Sequence, residues 1–297
     1  MSPPLSEQTA CYFVQNAYIR WSKSASCAIT FTPYQYTMTI TTLLFDIGNT
    51  NIKIGFADDA SVFAQFTLPT DSRQTADGLG LAFSGLCRHM NVVPSQIEAC
   101  VASSVAPVIS HLVRKACRTF LLHELLLAPE DIPIPLENKY ARPQEVGADR
   151  LVGAYAARRL MPDARSIISV DYGTATTFDF VTDSPYLGGL ICPGVYSSVE
   201  ALAARTAKLP HIALDIDASE PAVGRSTAES INHGFVFGFA AMTEGLCARL
   251  GKTLPGPVEI VATGGFAQSL ARVASCFTMV RPDLLLEGLR LLYNEQR

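Results

Sequence analysis

The apolar positions along the chain change period several times, and the order of the changes outlines an architecture. Leu43 to Ala57, "LLFDIGNTNIKIGFA", reads as two short strands about a turn, a hairpin over 43–57. A helical period follows around 75–91. "IEACVASSVAPV" (Ile97–Val108) reads as a strand ending in a loop at Pro107, and "VISHLVRKACRTF" (Val108–Phe120) as a helix. "GADRLVGAYAARRLM" (Gly147–Met161) is helical, with Leu151, Val152, Tyr155 and Leu160 on roughly one face. A second hairpin is expected over 166–182, then a Gly/Pro loop "YLGGLICPGV", a helix near 195–206 and a long helix from Ser226 to Gly251. "VEIVATGG" (Val258–Gly265) is a buried strand that enters a glycine turn, with a helix after it. Strands alternating with helices predict an α/β fold.

The two hairpins resemble each other. "LFDIGNTNIKIGF" (Leu44–Phe56) and "VDYGTATTFDF" (Val170–Phe180) both run an apolar strand into Asp-x-Gly, small polar residues and a second short strand. The repetition predicts two related halves, 41–160 and 161–297. Residues 1–40 stand apart: "SPPLSEQTA" and "SKSASCAITFTPYQYT" sustain neither period, and Met38 directly precedes the first strand-turn-strand signal. This predicts a native start at Met38, with an untranslated or disordered leader.

Composition narrows the functional classes. Hydrophobic residues make up 48% of the 297 and charged residues 17%, which suits a core-forming chain and not a disordered one. The net charge of -4 provides no global basic field for nucleic acid or anionic membrane. No apolar run approaches the roughly 18 residues of a membrane span, and no secretory signal pattern opens the chain. The eight cysteines include no C-x-x-C pair and mostly sit in apolar runs, as reduced thiols of a cytoplasmic protein do. The five histidines have no metal spacing.

The chemistry lies in the hairpin turns. Gly48 allows close backbone approach, and Asn49 and Thr50 are turn formers whose amides can face an anion. An aspartate beside such a turn repels phosphate unless it works through a cation, and Mg²⁺ takes carboxylate oxygens, often through water, while keeping phosphates as other ligands. Asp46 fits that role. Asp171, Gly173, Thr174, Ala175, Thr176 and Thr177 repeat the pattern with hydroxyls. Either motif alone is also an ordinary hairpin turn; the matched pair suits two loops gripping one nucleotide. "VATGGF" (Val261–Phe266) follows both, where a nucleoside-binding loop would lie.

This order of motifs resembles the acetate and sugar kinase, Hsp70 and actin superfamily, and within it type III pantothenate kinases. The resemblance rests on "DIGNTNIKIG" (Asp46–Gly55), "SSVAP" (Ser103–Pro107), "GADR" (Gly147–Arg150) and "DYGTATTFD" (Asp171–Asp179). It continues through "GGLICPG" (Gly188–Gly194), "LAARTAKLP" (Leu202–Pro210), "GRSTAESINHG" (Gly224–Gly234) and "ATGG" (Ala262–Gly265), and so covers nearly everything from Leu43 onward. Two features depart from the family: Gly153, where asparagine is expected, and the N-terminal extension.

The resemblance implies two actin-like (ribonuclease H-like) half-domains, each a mixed sheet with helices, around a nucleotide cleft. It implies ATP-dependent phosphorylation of the primary hydroxyl of pantothenate to 4'-phosphopantothenate, the first step of coenzyme A synthesis. Asp46, Ile47, Gly48, Asn49, Thr50, Asn51, Ile52 and Lys53 look like the first phosphate loop, and Thr174 like a further ATP contact. Asp149 looks like the general base, and Tyr140, Gly147, Ala148, Asp149, Arg150 and Thr227 like the pantothenate site. Asp171 looks like the ligand of a monovalent cation, K⁺ or NH₄⁺. The family is homodimeric, with the pantothenate site close to the subunit interface.

From residue chemistry alone, Asp149 is equally a helix cap and a base. The Arg150 fork suits a carboxylate and is expected to grip the acid end of pantothenate. Phe235, Val236, Phe239, Met242 and Leu246 on the long helix fit either core or a dimer face. The competing readings are a related kinase with another small hydroxylated substrate and a nucleotide-binding regulator of the same fold that has lost catalysis.

Overall fold

The computed structural model describes residues 13–14, 17–18, 42–71, 73–206, 209–216 and 219–297. Residues 1–38 form a unit of their own, in which β1 (Phe13–Val14) pairs antiparallel with β2 (Ala17–Tyr18). The expected start at Met38 lies outside the described residues.

From Thr42 the chain builds two sheets on one plan. The first contains β3 (Thr42–Ile47), β4 (Asn51–Ala57), β5 (Val62–Pro69), β6 (Ala99–Ser104) and β7 (Leu125–Ala128), in the order β5-β4-β3-β6-β7. The second contains β9 (Ser166–Tyr172), β10 (Ala175–Thr182), β11 (Pro185–Pro193), β12 (Val258–Gly264) and β13 (Met279–Val280), with the two-residue β8 (Glu137–Asn138) added at one edge. Its order is β13-β12-β9-β10-β11-β8. In each, a central strand pairs antiparallel with its hairpin partner and parallel with the strand on its other side. β3 is therefore covered on both faces and reads as a nearly unbroken apolar run.

Helices fill the layers between and outside the sheets. α1 (Ala76–His89) and α2 (Pro107–Ala116) cover the outer face of the first sheet, where Phe45, Ile47, Ile54, Leu79, Phe83 and Val113 form one core. The Thr75 hydroxyl caps α1 by accepting the Gly78 amide at 3.1 Å. Pro107 does not end a loop; it occupies the first turn of α2, where a missing N–H costs nothing. α4 (Val195–Ala204), α5 (Thr227–Gly251) and the short α6 (Ala267–Leu270) cover the outer face of the second sheet.

α3 (Ala148–Leu160) and α7 (Leu284–Gln296) lie between the sheets. Val152 and Tyr155 of α3 join Leu44 and Val101 of the first sheet, while Ala154, Ala156 and Ala157 join Ile167, Val181 and Val261 of the second. Small residues on α3 let both sheets approach it. The C-terminal α7 returns to the first sheet, burying Leu285, Leu286, Leu289 and Leu292 there. Asn294 and Arg297 then bond the Asp59 carbonyl and carboxylate at 3.0 and 2.8 Å.

The expected Gly/Pro loop at Tyr186–Val195 is the strand β11. Its amides are satisfied by a ladder to β10 that runs from Ala175↔Pro193 to Val181↔Tyr186, with a bulge between Phe180 and Val181. Glycine within a strand marks a close approach, and here it makes room for a buried ion pair described below.

Candidate active site

Both hairpin turns and the N-terminus of α3 meet at the same end of the two sheets. In the first turn Gly48 N–H donates to the Asn51 carbonyl at 3.0 Å, so Asn49 and Thr50 form the exposed tip. Thr70 at the end of β5 fixes it, donating from its amide to the Thr50 carbonyl at 2.8 Å and from its hydroxyl to the Gly48 carbonyl at 2.9 Å. Ile47 and Ile52 are buried beneath the tip. The second turn is closed by Gly173 N–H to the Ala175 carbonyl at 3.0 Å, and Ser197 of α4 donates to the Thr174 carbonyl at 2.9 Å. The two tips touch: Thr50 Oγ1 and Thr174 Oγ1 are 2.8 Å apart, across 124 positions of sequence.

The carboxylates follow the same convergence. Asp46 near the end of β3 faces Lys53 in register, Nζ 3.6 Å from Oδ2. Burial pushes the Asp46 carboxyl up to about 6 against the opposing pull of Lys53, with repulsion from Asp171 and Asp149 adding to the rise. Burial also raises Asp171 and Asp149, and Lys53 acts on both in the opposite sense. One ammonium thus serves three carboxylates carried by β3, β9 and α3.

Asp149 is in the first turn of α3, whose N-cap is Gly147, and its Oδ1 accepts the Arg150 amide at 2.8 Å. The loop after β6 buttresses this turn: Val105 N–H donates to the Ile47 carbonyl at 3.1 Å, and its Cγ1 packs where a side chain on Gly147 would begin.

The comparisons with known proteins bear on this arrangement. The family model for type III pantothenate kinase matches residues 42–249. A protein of Oleidesulfovibrio alaskensis named type III pantothenate kinase is 64% identical over 253 residues, covering 85% of this chain and 96% of that protein. One of the same name from Listeria monocytogenes is 37% identical over 257 residues, covering 86% and 97%. The chain belongs to the type III pantothenate kinase family.

Among solved structures, a protein described as a 2-dehydro-3-deoxygalactonokinase from Sinorhizobium meliloti superposes with a TM-score of 0.54 at 11% identity, covering 86% of this chain and 96% of that one. A Baf family protein from Campylobacter jejuni, described as a transcriptional activator, gives a TM-score of 0.52 at 19% identity with coverage of 86% and 98%. These two likenesses concern the fold alone.

Within this family member, Arg150 is not free to act as an isolated guanidinium. Its Nε donates to Asp179 Oδ1 at 2.8 Å and its Nη2 lies 2.7 Å from the same oxygen, with both side chains less than a tenth exposed. Tyr186 Oη also donates to Asp179 Oδ1 at 2.8 Å, and Thr177 Oγ1 donates to Oδ2 at 3.3 Å. Burial pushes the Asp179 carboxyl up to about 6 despite Arg150. Gly189 lies beside the pair: a Cβ there would meet Arg150 Nη2, the Phe178 carbonyl and, at 3.0 Å, Asp179 Oδ1. The ring of Tyr140 packs against the neighbouring Gly188. Sequence reading did not assign Asp179 a role, although it closes "DYGTATTFD" and shares a sheet face with Asp171 and Thr177.

Two cation positions fit the donors present. Asp171 Oδ1 is buried without a hydrogen-bond partner. It abuts Gly264, which has φ +90, and a Cβ there would also fall 2.6 Å from the Tyr172 carbonyl oxygen. Gly265 N–H donates to that carbonyl at 3.1 Å, so the third glycine loop is bonded to the second. A lone carboxylate oxygen among backbone carbonyls suits a hard monovalent cation. Asp46 offers one partly accessible carboxylate near the end of β3, beneath the first turn, which suits Mg²⁺ held mainly by water and an anionic ligand. Among the described residues, no three His, Cys, Asp or Glu side chains close around a point.

Thr227 stands apart from Tyr140 and Gly147–Arg150, and no hydrogen bond joins them among the described residues. It opens α5 and lines an apolar cleft of about 410 Å³ with Leu202, Leu209, Phe235, Phe239 and Met242. That cleft shares Leu202 and Phe235 with a cleft of about 540 Å³ beside Thr174, Gly194 and Ser197.

Proposed function

We propose that this chain transfers the γ-phosphoryl group of ATP to the primary hydroxyl of pantothenate, with Asp149 as the base. The observation that carries the reading is the meeting of Asp46, Lys53, Asp149 and Asp171 beneath two touching hairpin tips. The loop from Asp46 to Lys53, with Thr174, holds the phosphates. Lys53 offsets charge on the transferring group. Tyr140, Gly147, Ala148 and Arg150 shape the pantothenate side of the cleft.

As the hydroxyl oxygen attacks phosphorus, its proton passes to the Asp149 carboxylate and the β–γ bridging oxygen leaves with ADP. Asp149 is competent because proton transfer late in a loose transition state does not need a strong base. Mg²⁺ beside Asp46 and K⁺ or NH₄⁺ beside Asp171 would supply charge neutralisation for the triphosphate.

Thr227 completes the pantothenate site from a second copy of the chain. The support is its position on the apolar face of α5, where Phe235 and Phe239 stack with centroids 6.2 Å apart and Gly234 and Gly238 leave the backbone open. A cytoplasmic homodimer follows, with neither nucleic acid nor membrane as partner; no helix among the described residues is long and apolar enough to cross a membrane. Sedimentation at micromolar concentration tests the dimer, and a monomer there contradicts it.

The activity test is ADP release with MgATP and pantothenate, in wild type and Asp149→Asn. The expected result is pantothenate-dependent turnover that falls by about 10²–10⁴ in the variant. ATP binding without transfer to any acceptor would instead support a regulator, and transfer to another small alcohol in place of pantothenate a related kinase.

A further inference from the structure

The Arg150–Asp179 pair poses a problem of competition. Arg150 follows Asp149 in sequence, and the Asp149 carboxylate accepts the Arg150 backbone amide at 2.8 Å. The guanidinium also contributes to the field at Asp149. A long, flexible guanidinium side chain within electrostatic reach of a carboxylate in a half-buried site can swing onto it and form a charge-assisted pair. Such a pair would occupy the oxygens that must receive the acceptor proton.

The fold directs the guanidinium elsewhere. Asp179 Oδ1 on β10 accepts the Arg150 Nε hydrogen bond and lies at ion-pair distance from Nη2, and Tyr186 donates to that same oxygen. Thr177 donates to the other. Gly189 on β11 leaves the volume that Nη2 occupies. Ion pair, second donor and side-chain-free position come from three separate points on the chain. The charged groups acting on Asp149 are then Arg150, Lys53, Asp46, Asp171 and Asp179.

From this we infer that Asp179 is a positioning residue that holds the Arg150 guanidinium away from Asp149 and so keeps the base free for the substrate hydroxyl. The inference rests on the kinase reading and deepens it. Arg150 keeps its place on the pantothenate side of the cleft, with Nε and Nη2 turned to Asp179.

The test is a double-mutant cycle on full-length protein: wild type, Asp179→Asn, Arg150→Gln and the double variant. The readouts are kcat at saturating pantothenate and MgATP, and KM for each. Asp179→Asn should lower kcat about tenfold or more with KM for MgATP unchanged, because the released guanidinium pairs with Asp149. With Arg150→Gln already present, the same substitution should change kcat by less than about twofold, since no guanidinium remains to be released. An equal loss in both backgrounds would overturn the inference, as would a change confined to KM for pantothenate. Should Asp179→Asn alone fail to fold, the comparison of Arg150→Gln with the double variant decides: equal kcat supports the inference, and a further large fall overturns it. Wild type lacking pantothenate-dependent turnover would overturn the kinase reading and this inference together; turnover in wild type with additive losses overturns this inference only.

Discussion

The two Asp-x-Gly hairpins occupy equivalent places in their sheets yet differ in what faces the aspartate. In the first, Asp46 pairs in register with Lys53 on the hairpin partner and with Ser103 on the parallel neighbour. In the second, Asp171 pairs with Thr177 and Thr263. The frame is the same and the charge balance is not. Asp46 has a cation built into the chain 3.6 Å away. Asp171 keeps a buried oxygen with no hydrogen-bond partner and feels the same Lys53 only at longer range. A buried acceptor left unsatisfied costs about 1–3 kcal/mol, and more when charged, so the second loop is suited to a cation from solution where the first carries its own. The repeated frame supplies the geometry, and one side chain in register decides which carboxylate has an ammonium in direct contact.

The largest effect should come from removing the aspartates themselves. Asp46→Asn and Asp171→Asn should each lower kcat/KM for MgATP by about a hundredfold or more, the scale of losing an electrostatic group at a phosphoryl-transfer site. They should differ in kind. Asp171→Asn should abolish the response to potassium, and Asp46→Asn should retain it while shifting the Mg²⁺ requirement. Steady-state kinetics across a potassium series separates the two, and identical cation profiles would break the comparison.

Thr177→Lys sharpens it by giving the second hairpin the residue of the first. Turnover should then depend on potassium by less than about twofold, because the ammonium supplies the missing charge. A fully retained potassium requirement in a folded variant would show that the in-register residue does not set cation dependence.

Gly264→Ala tests the packing that keeps Asp171 in place. The residue has φ +90, and its Cβ would meet both Asp171 and the Tyr172 carbonyl. A stability loss of about 1–3 kcal/mol is expected from the backbone conformation alone, measurable by urea unfolding, together with weaker potassium activation. At the other extreme, Thr50→Val removes the single hydroxyl bond between the two tips. It should cost about 1 kcal/mol or less and appear mainly in KM for MgATP.

Asp46 also gives a pH signature in the metal-free protein. Burial raises its carboxyl from 3.8 to about 6 in the folded state. The folded protein therefore holds this proton more tightly than the unfolded chain. The contribution to stability is fully present below about pH 4 and is lost as pH rises through about 6. Asp46→Asn should accordingly gain thermal stability relative to wild type above pH 6 and show no gain near pH 4. A constant difference across that window would contradict the assignment of burial as the cause.

Much of the fold was legible because each strand and helix carries its own period. Leu44–Phe56 and Ser166–Thr182 show their hairpins within a dozen or so residues, and the Gly147 turn announces α3. What the sequence could not show is where elements go after they form. The sequence places a helix somewhere after Gly265, and only tertiary packing reveals that Leu284–Gln296 crosses back to the first sheet. Gly188 and Gly189 look like loop residues, because the Tyr140 ring beside Gly188 and the Arg150 guanidinium beside Gly189 come from distant parts of the sequence. The same distance concealed Asp179. Asp46, Asp149 and Asp171 could be named from their motifs, but their shared field and the single Lys53 that serves all three are properties of the assembled cleft.

The most direct test of the account is pantothenate-dependent ADP release from MgATP by the wild-type protein, in buffer containing either potassium or choline as the monovalent cation. The account predicts turnover that requires pantothenate and is strongly reduced in choline, since Asp171 then has only the Lys53 ammonium it shares with Asp46 and Asp149. Pantothenate-dependent turnover at equal rates in both buffers would contradict the claim that the two hairpins obtain their positive charge differently, and no turnover in either would contradict the kinase assignment itself.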